Sequence, residues 1–205
     1  MVSLLDLDSG NIRSLGNALN YLGIDFKIVK TSKEIENSKI LIIPGVGSFD
    51  HAMGGIEKNS LKKSIIDFAN VQKKPLLGIC IGMQILFERS KEGKKEGLGI
   101  LNGNIEMLKS SKQFKVPHVG FSPIKIFKKK GIFKNIENDL SFYFTNSFCL
   151  KYKKKIKFDN YCYTKHSQNF YGLIHKKNIF GIQFHPELSH ASGLIILKNF
   201  IQMNT

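Results

Sequence analysis

Two short segments carry residue types whose spacing could do chemistry. Gly78-Ile79-Cys80-Ile81-Gly82 has the glycine-x-nucleophile-x-glycine form of a sharp strand-to-helix turn, in which flanking glycines relieve crowding and expose the central side chain. Cys80 is therefore a candidate nucleophile at a helix N-terminus. Its thiol needs activation, because a free thiol with a pKa of ~8.5 is only a few per cent thiolate at neutral pH. A base must come from elsewhere in the chain.

Of the six histidines, His185 best fits that need. Gln183-Phe184-His185-Pro186-Glu187 follows an apolar run, residues 179–184, that reads as a buried strand and would fix the imidazole at the carboxyl edge of a sheet. Glu187 can orient the ring and stabilise its cation, while His185 removes the Cys80 proton and later delivers one to a leaving group. Cys80, His185 and Glu187 are the expected catalytic residues. Either segment alone is compatible with an ordinary buried cysteine or a strand-end histidine. Their joint occurrence at two strand ends is what makes a nucleophile, a base and an orienting carboxylate.

The elements that must position them alternate through the first half. Residues 2–7 read as a strand, and Ile12, Leu15, Leu19 and Leu22 recur at helical spacing until Gly23. Residues 26–29 and 40–43 read as short buried strands, the second stopped by Pro44-Gly45-Val46-Gly47. Leu61, Ile65, Ile66 and Phe68 mark a further helix, and residues 75–79 a buried strand that meets another helix at Cys80. Such alternation predicts parallel strands with helical crossovers. From Leu98 the pattern turns β-rich, at residues 105–108, 116–127, 142–150, 161–164, 171–175 and 179–184. A last helix over residues 191–203 would cover the sheet with Leu194, Ile195, Leu197, Phe200 and Ile201. The expected fold is α/β, a doubly wound, mostly parallel sheet flanked by helices with an antiparallel β extension in the C-terminal half. One domain over residues 1–205 is expected from length and hydrophobic content.

Composition narrows the function classes. The formal net charge is +15, but only Arg13 and Arg89 of the 31 basic residues are arginines, and base or phosphate readout favours the arginine fork. The lysine runs at Lys128, Lys129, Lys130 and at Lys151, Lys153, Lys154, Lys155, Lys157 lack interleaved aromatics and read as solvated loop or edge positions, so nucleic acid is not expected as a partner. Residues 1–10 carry Asp6 and Asp8 and no basic leader, and the longest apolar run, residues 76–83, is far below a membrane span of ~20 residues. Three cysteines without a C-x-x-C pair suggest neither a disulfide framework nor a zinc site. The expectation is a cytoplasmic protein without membrane, metal or cofactor.

Gly-Ile-Cys-Ile-Gly-Met-Gln at residues 78–84 and Gln-Phe-His-Pro-Glu at residues 183–187 resemble the signatures of class I (triad) glutamine amidotransferases. Within them, Asp8-Ser9-Gly10-Asn11-Ile12, Pro44-Gly45-Val46-Gly47-Ser48-Phe49 and Pro117-His118-Val119-Gly120 resemble the glutaminase subunits of imidazole glycerol phosphate synthase. The resemblance implies that L-glutamine is hydrolysed through a cysteine thioester. Ammonia would pass to a cyclase-type synthase subunit, the two chains forming a heterodimer in histidine biosynthesis. It also implies an oxyanion and gating segment made of Gly45, Val46 and Gly47 with the Ile81 amide, and glutamine binding by Gln84, Gly47 and the Ser147-Phe148 backbone. The Val46 amide would turn toward the thiol only when the partner is loaded. His118 matches a motif near the synthase, although a hydrogen-bonded histidine without chemistry fits as well. His51, His166, His175 and His190 carry no assigned role.

The chain departs from the family's pattern at Phe121-Ser122, at Asn146 and at Leu188, where tryptophan-asparagine, histidine and lysine are usual. These segments face the synthase in the family, so a second acceptor stays open, a sugar amidotransferase of surface-polysaccharide biosynthesis. A stand-alone cysteine hydrolase and a basic nucleic-acid-binding module are the remaining readings.

Overall fold

The computed structural model describes residues 1–7, 11–153 and 157–205. Asp8, Ser9 and Gly10 of the first motif, and Lys154 and Lys155 of the second lysine run, lie outside the described residues.

The strands of the first half are β1 (Val2–Leu5), β2 (Phe26–Val29), β3 (Ile40–Ile43), β4 (Leu76–Ile79) and β5 (Arg89–Ser90). The second half adds β6 (Asn104–Met107), β7 (His118–Ile126), β8 (Ser141–Asn146), β9 (Phe148–Cys149), β10 (Asn160–Lys165), β11 (Asn169–Lys176) and β12 (Ile179–Ile182). Nine of them form one sheet in the order β2-β1-β3-β4-β12-β11-β10-β7-β8, and β5-β6-β9 form a small second one. Pairing is parallel from β2 to β12 and antiparallel from β12 to β8. The expected fold class is therefore the observed one. The C-terminal strand β12 inserts beside β4, so the segments carrying Cys80 and His185 leave adjacent parallel strands at the same edge.

Helices α1 (Ile12–Tyr21), α2 (Ser32–Glu36), α3 (Phe49–Lys58), α4 (Lys62–Ile66), α5 (Ile81–Gln84) and α6 (His190–Gln202) accompany the sheet. Every residue of β1, β3, β4 and β12 is buried, as sandwiched parallel strands require. Leu15, Ala18 and Leu19 of α1 and Ile196, Leu197, Phe200 and Ile201 of α6 are buried in the same core. Hydropathy spacing alone passes over α2 and α3, whose starts are set by side-chain caps. Thr31 and Glu34 form a reciprocal capping box, and Ser48 accepts from the His51 amide. Among the described residues no helix is long and apolar enough to cross a membrane. Lys128, Lys129, Lys130, Lys153 and Lys157 are exposed, and Lys151 pairs with Glu106 at 2.6 Å.

The helix after Cys80 is one turn rather than a full crossover helix. Its next carbonyls are taken by a following loop: Leu98 N–H donates to Ile85 O at 2.8 Å and Leu101 N–H to Leu86 O at 2.9 Å. A helix dipole this short contributes little at the sulfur.

Glycine is required where backbone meets backbone. A Cβ on Gly82 would lie 1.9 Å from the Ile43 carbonyl oxygen, so α5 can rest against β3 only without a side chain there. Gly54, inside α3, would meet nothing nearer than the Lys95 Cε at 3.7 Å. In urea titrations Gly82→Ala is expected to lose about 1–3 kcal/mol through overpacking. Gly54→Ala is expected to gain about 0.5–1 kcal/mol through helix propensity. Equal stabilities for the two variants would contradict this packing.

Candidate active site

β4 delivers Cys80 in a conformation that L-residues rarely adopt, φ 53° and ψ −111°. Its amide donates to the Ile182 carbonyl of β12 at 2.6 Å, tying the turn to the strand that leads to His185. Gly45 sits behind the turn, where a Cβ would stand 2.6 Å from the Gly82 nitrogen. The turn is thus a built nucleophile elbow. Its strain, of order 1–3 kcal/mol, is held by neighbours on three strands.

The His185 backbone is fixed as firmly. Its amide donates to the Tyr143 carbonyl at 2.8 Å, and its carbonyl accepts from the Ser189 hydroxyl at 2.6 Å. Pro186 opens the 3₁₀ turn Pro186–Leu188, which brings Glu187 back beneath the ring. His185 Nδ1 and Glu187 Oε1 are 2.8 Å apart, with both side chains almost wholly buried. Burial pulls the imidazole pKa down, but the Cys80 sulfur and the Glu187 carboxylate outweigh it and raise it to about 10. Nε2, on the side of the ring away from Glu187, has no hydrogen bond of normal geometry among the described residues. A cationic imidazole at neutral pH follows.

The other two cysteines are poor nucleophiles. Burial pushes the Cys149 thiol up to about 12 and the Cys162 thiol up as well. All three cysteines are free and buried.

Cys80 and His185 open on a cavity of about 280 Å³, close to the lower end of small-molecule pockets. Val46, Gly47, Ile81, Gln84, Ser147 and Phe148 line it too, so these expected site residues converge on the sulfur. Gly45 does not reach the lining, because it is packed against the elbow. Gly47, at φ 100°, has open space around it. Gln84 Nε2 donates to the Phe148 carbonyl at 3.0 Å, and its buried Oε1 has no partner among the described residues. His118 does not line the cavity. It is buried, bonded to Ser122 Oγ at 2.8 Å and stacked on His166, and burial followed by the His166 charge lowers its pKa to about 4.

Four residues at the site have roles that sequence reasoning missed. Glu92 lines the cavity and accepts from the Phe49 amide at 2.8 Å, and burial raises its pKa. Asp50 secures its loop by accepting from the Lys94 and Lys95 amides at 3.0 Å each. Asn11, noted only as part of a motif, donates from Nδ2 to Glu187 Oε1 and so holds the carboxylate under the imidazole. Gln183 is fully buried with Nε2 3.7 Å from Cys80 Sγ. Only Asn11 and Gln183 stood inside quoted motifs. Nothing in the lysine-rich turn around Glu92 marked it.

Among the described residues, no group of three or more His, Cys, Asp or Glu side chains is placed to hold a metal ion.

The family model for "Glutamine amidotransferase class-I" matches residues 3–203. The imidazole glycerol phosphate synthase subunit HisH of Caldanaerobacter subterraneus subsp. tengcongensis is 42% identical over 205 residues, covering 99% of this chain and 98% of that protein. Subunit HisH 1 of Campylobacter jejuni (strain RM1221) is 36% identical over 206 residues, covering 99% of this chain and all of that one. A crystal structure titled as a glutamine amidotransferase superposes with a TM-score of 0.74 at 18% identity, covering 99% of this chain and 98% of the other, which speaks for the fold alone. With the match running from the first strand to the last helix, this chain belongs to the class-I glutamine amidotransferase family.

Proposed function

We propose that the chain is the glutaminase subunit of an imidazole glycerol phosphate synthase, hydrolysing L-glutamine and passing ammonia to a cyclase-type partner in the cytoplasm. The observation that carries the chemistry is the buried His185–Glu187 pair beside Cys80 at one end of the cavity. Full-length similarity to proteins named HisH supports the pathway and the heterodimer. Three free cysteines suit a reducing compartment.

In this reading the Cys80 thiolate attacks the side-chain carboxamide carbon of glutamine. The oxygen takes up the charge, and the backbone amides of Val46 and Ile81, two residues that line the cavity, are the donors this reading assigns to it. The carbon–nitrogen bond then breaks as the His185 imidazolium gives its proton to the leaving nitrogen, releasing ammonia and a thioester. Water adds to the thioester as His185 takes its proton, glutamate departs, and the thiolate is restored beside an imidazolium. Glu187 keeps Nδ1–H directed and the cation stabilised throughout. Glu92, Gln84 Oε1 and Asn146 Oδ1 are acceptors available in the cavity for the substrate's α-ammonium group, and Glu92 is the charged one.

Gating by the partner rests on the oxyanion segment. Gly45 is clamped, so a peptide flip there must turn about Gly47, whose open surroundings permit it. Beside the triad, Phe121 and Leu188 are 48% and 44% exposed, and His190 stacks on Phe121 at 5.1 Å. An apolar, aromatic surface of this kind suits burial by a synthase. Leu188 also excludes an ion pair at that position, the observation that keeps a sugar amidotransferase as a second acceptor.

Glutamate release from glutamine is expected to rise when a cyclase-type synthase and its ligand are added, and to fall at least about a thousandfold in Cys80→Ala. Stimulation by a sugar amidotransferase alone would move the acceptor. Persisting activity in Cys80→Ala would refute the nucleophile. Glu92→Gln should raise KM for glutamine about tenfold or more while kcat changes less than about threefold, as loss of a charged hydrogen bond to the substrate would. An unchanged KM would remove Glu92 from substrate binding.

A further inference from the structure

The mechanism above leaves one buried side-chain amide beside the sulfur, that of Gln183, without a task. Gln183 is wholly enclosed between the last residue of β12 and His185, and it does not line the cavity. Its Nε2 lies 3.7 Å from Cys80 Sγ, and its Oε1 lies 3.1 Å from Gln84 Nε2. Gln84 Nε2 in turn lies 3.0 Å from the Phe148 carbonyl, which also receives the Asn146 amide at 3.0 Å.

The direction of this relay is dictated by its end. A carbonyl oxygen only accepts, so Gln84 must present its NH₂ group to Phe148. The same NH₂ meets Gln183, which must then present its oxygen. The remaining NH₂ of Gln183 is thereby aimed at the sulfur, with neither amide free to flip without losing a buried hydrogen bond.

A neutral thiol is a weak acceptor, whereas a thiolate is a charged one. A donor held against the sulfur therefore stabilises the charged form more than the neutral form. Resting on the reading of Cys80 as nucleophile, we propose that the Gln183 side-chain amide is a catalytic hydrogen-bond donor to the Cys80 thiolate, with Gln84 and the Phe148 carbonyl as its positioning groups. It acts twice in the cycle, before attack and again when the thioester breaks and sulfur leaves with the electron pair. The arrangement also joins substrate reading to nucleophile strength. Gln84, whose free Oε1 is available to glutamine, is the group that aims Gln183.

Among the described residues, the titratable groups that share the cavity with the sulfur are His185, with Glu187 bonded to it, and Glu92, and no lysine or arginine lines it. Removing the amide donor leaves His185 as the principal support for the thiolate.

The test is the pH dependence of Cys80 alkylation by iodoacetamide in the isolated chain, with the modified residue identified by mass spectrometry, alongside glutaminase kinetics. Gln183→Met should move the half-point of the alkylation profile upward by about one pH unit, a tenfold loss of thiolate. It should also lower kcat about tenfold while KM changes less than about threefold, because Gln183 is outside the cavity lining. Gln84→Met leaves Gln183 in place but removes its aim, and its alkylation half-point should move in the same direction. It carries the test alone if circular dichroism shows that Gln183→Met does not fold. Wild-type alkylation profiles in the folded variants would overturn the proposal. Absence of ammonia release by the wild type with every partner would instead refute the glutaminase reading, since alkylation needs no glutamine.

Discussion

Cys80 occupies a positive-φ conformation that it would not hold in a free chain, and much of the fold can be understood as the means of holding it there. The restraint comes from three neighbouring buried strands. β3 lends the Ile43 carbonyl that Gly82 rests against, β4 ends in the turn itself, and β12 supplies the Ile182 carbonyl to the Cys80 amide. The first of these contacts tolerates no side chain at Gly82. The cost of the elbow is therefore spread over the most deeply buried part of the sheet, where hydrophobic burial provides the counterweight.

The same adjacency explains the electrostatics. Because β12 runs parallel to β4, the residues that follow each strand emerge side by side, and His185 needs no long loop to reach the sulfur. A wholly buried carboxylate and imidazole would be costly apart. Together, with Asn11 bonded to the carboxylate, they form a pair whose stable state is charged. Among the described residues only one Glu187 carboxylate oxygen, Oε1, is engaged by protein groups. The neutral, stacked His118 and the protonated Cys149 show how other titratable side chains behave here when burial is not countered.

Much of this was legible in the chain. Alternating apolar runs gave the central strands to within a residue or two, and the glycine-flanked cysteine and the histidine-proline-glutamate segment marked the two strand ends that meet. What escaped reading depends on tertiary contact. Helix α3 carries Phe49, Ala52, Met53 and Ile56 at helical spacing, but Gly54 and Gly55 interrupt it, and its start is announced only by the Ser48 cap. The shortness of α5 follows from carbonyls claimed by residues 97–101, which periodicity does not reveal. Glu92 sits in a polar turn like any other until Asp50 and the Phe49 amide fasten that turn beside the cavity. Gln183 was visible as a letter in a motif, yet its direction depends on a carbonyl 35 residues away in the chain.

The central claim is that His185 rests as an imidazolium between the Cys80 sulfur and the Glu187 carboxyl group. Its raised pKa means that the ring stays protonated through neutral pH and loses its proton only as pH climbs toward about 10. Ring-nitrogen NMR of histidine-labelled protein, with His185 assigned by its substitution to glutamine, reads this directly. The account predicts two protonated nitrogens at pH 7, a midpoint near 10, and a lower midpoint in Cys80→Ala, where the sulfur that raises it is gone. A neutral His185 at pH 7, titrating near the ordinary histidine value, would contradict it.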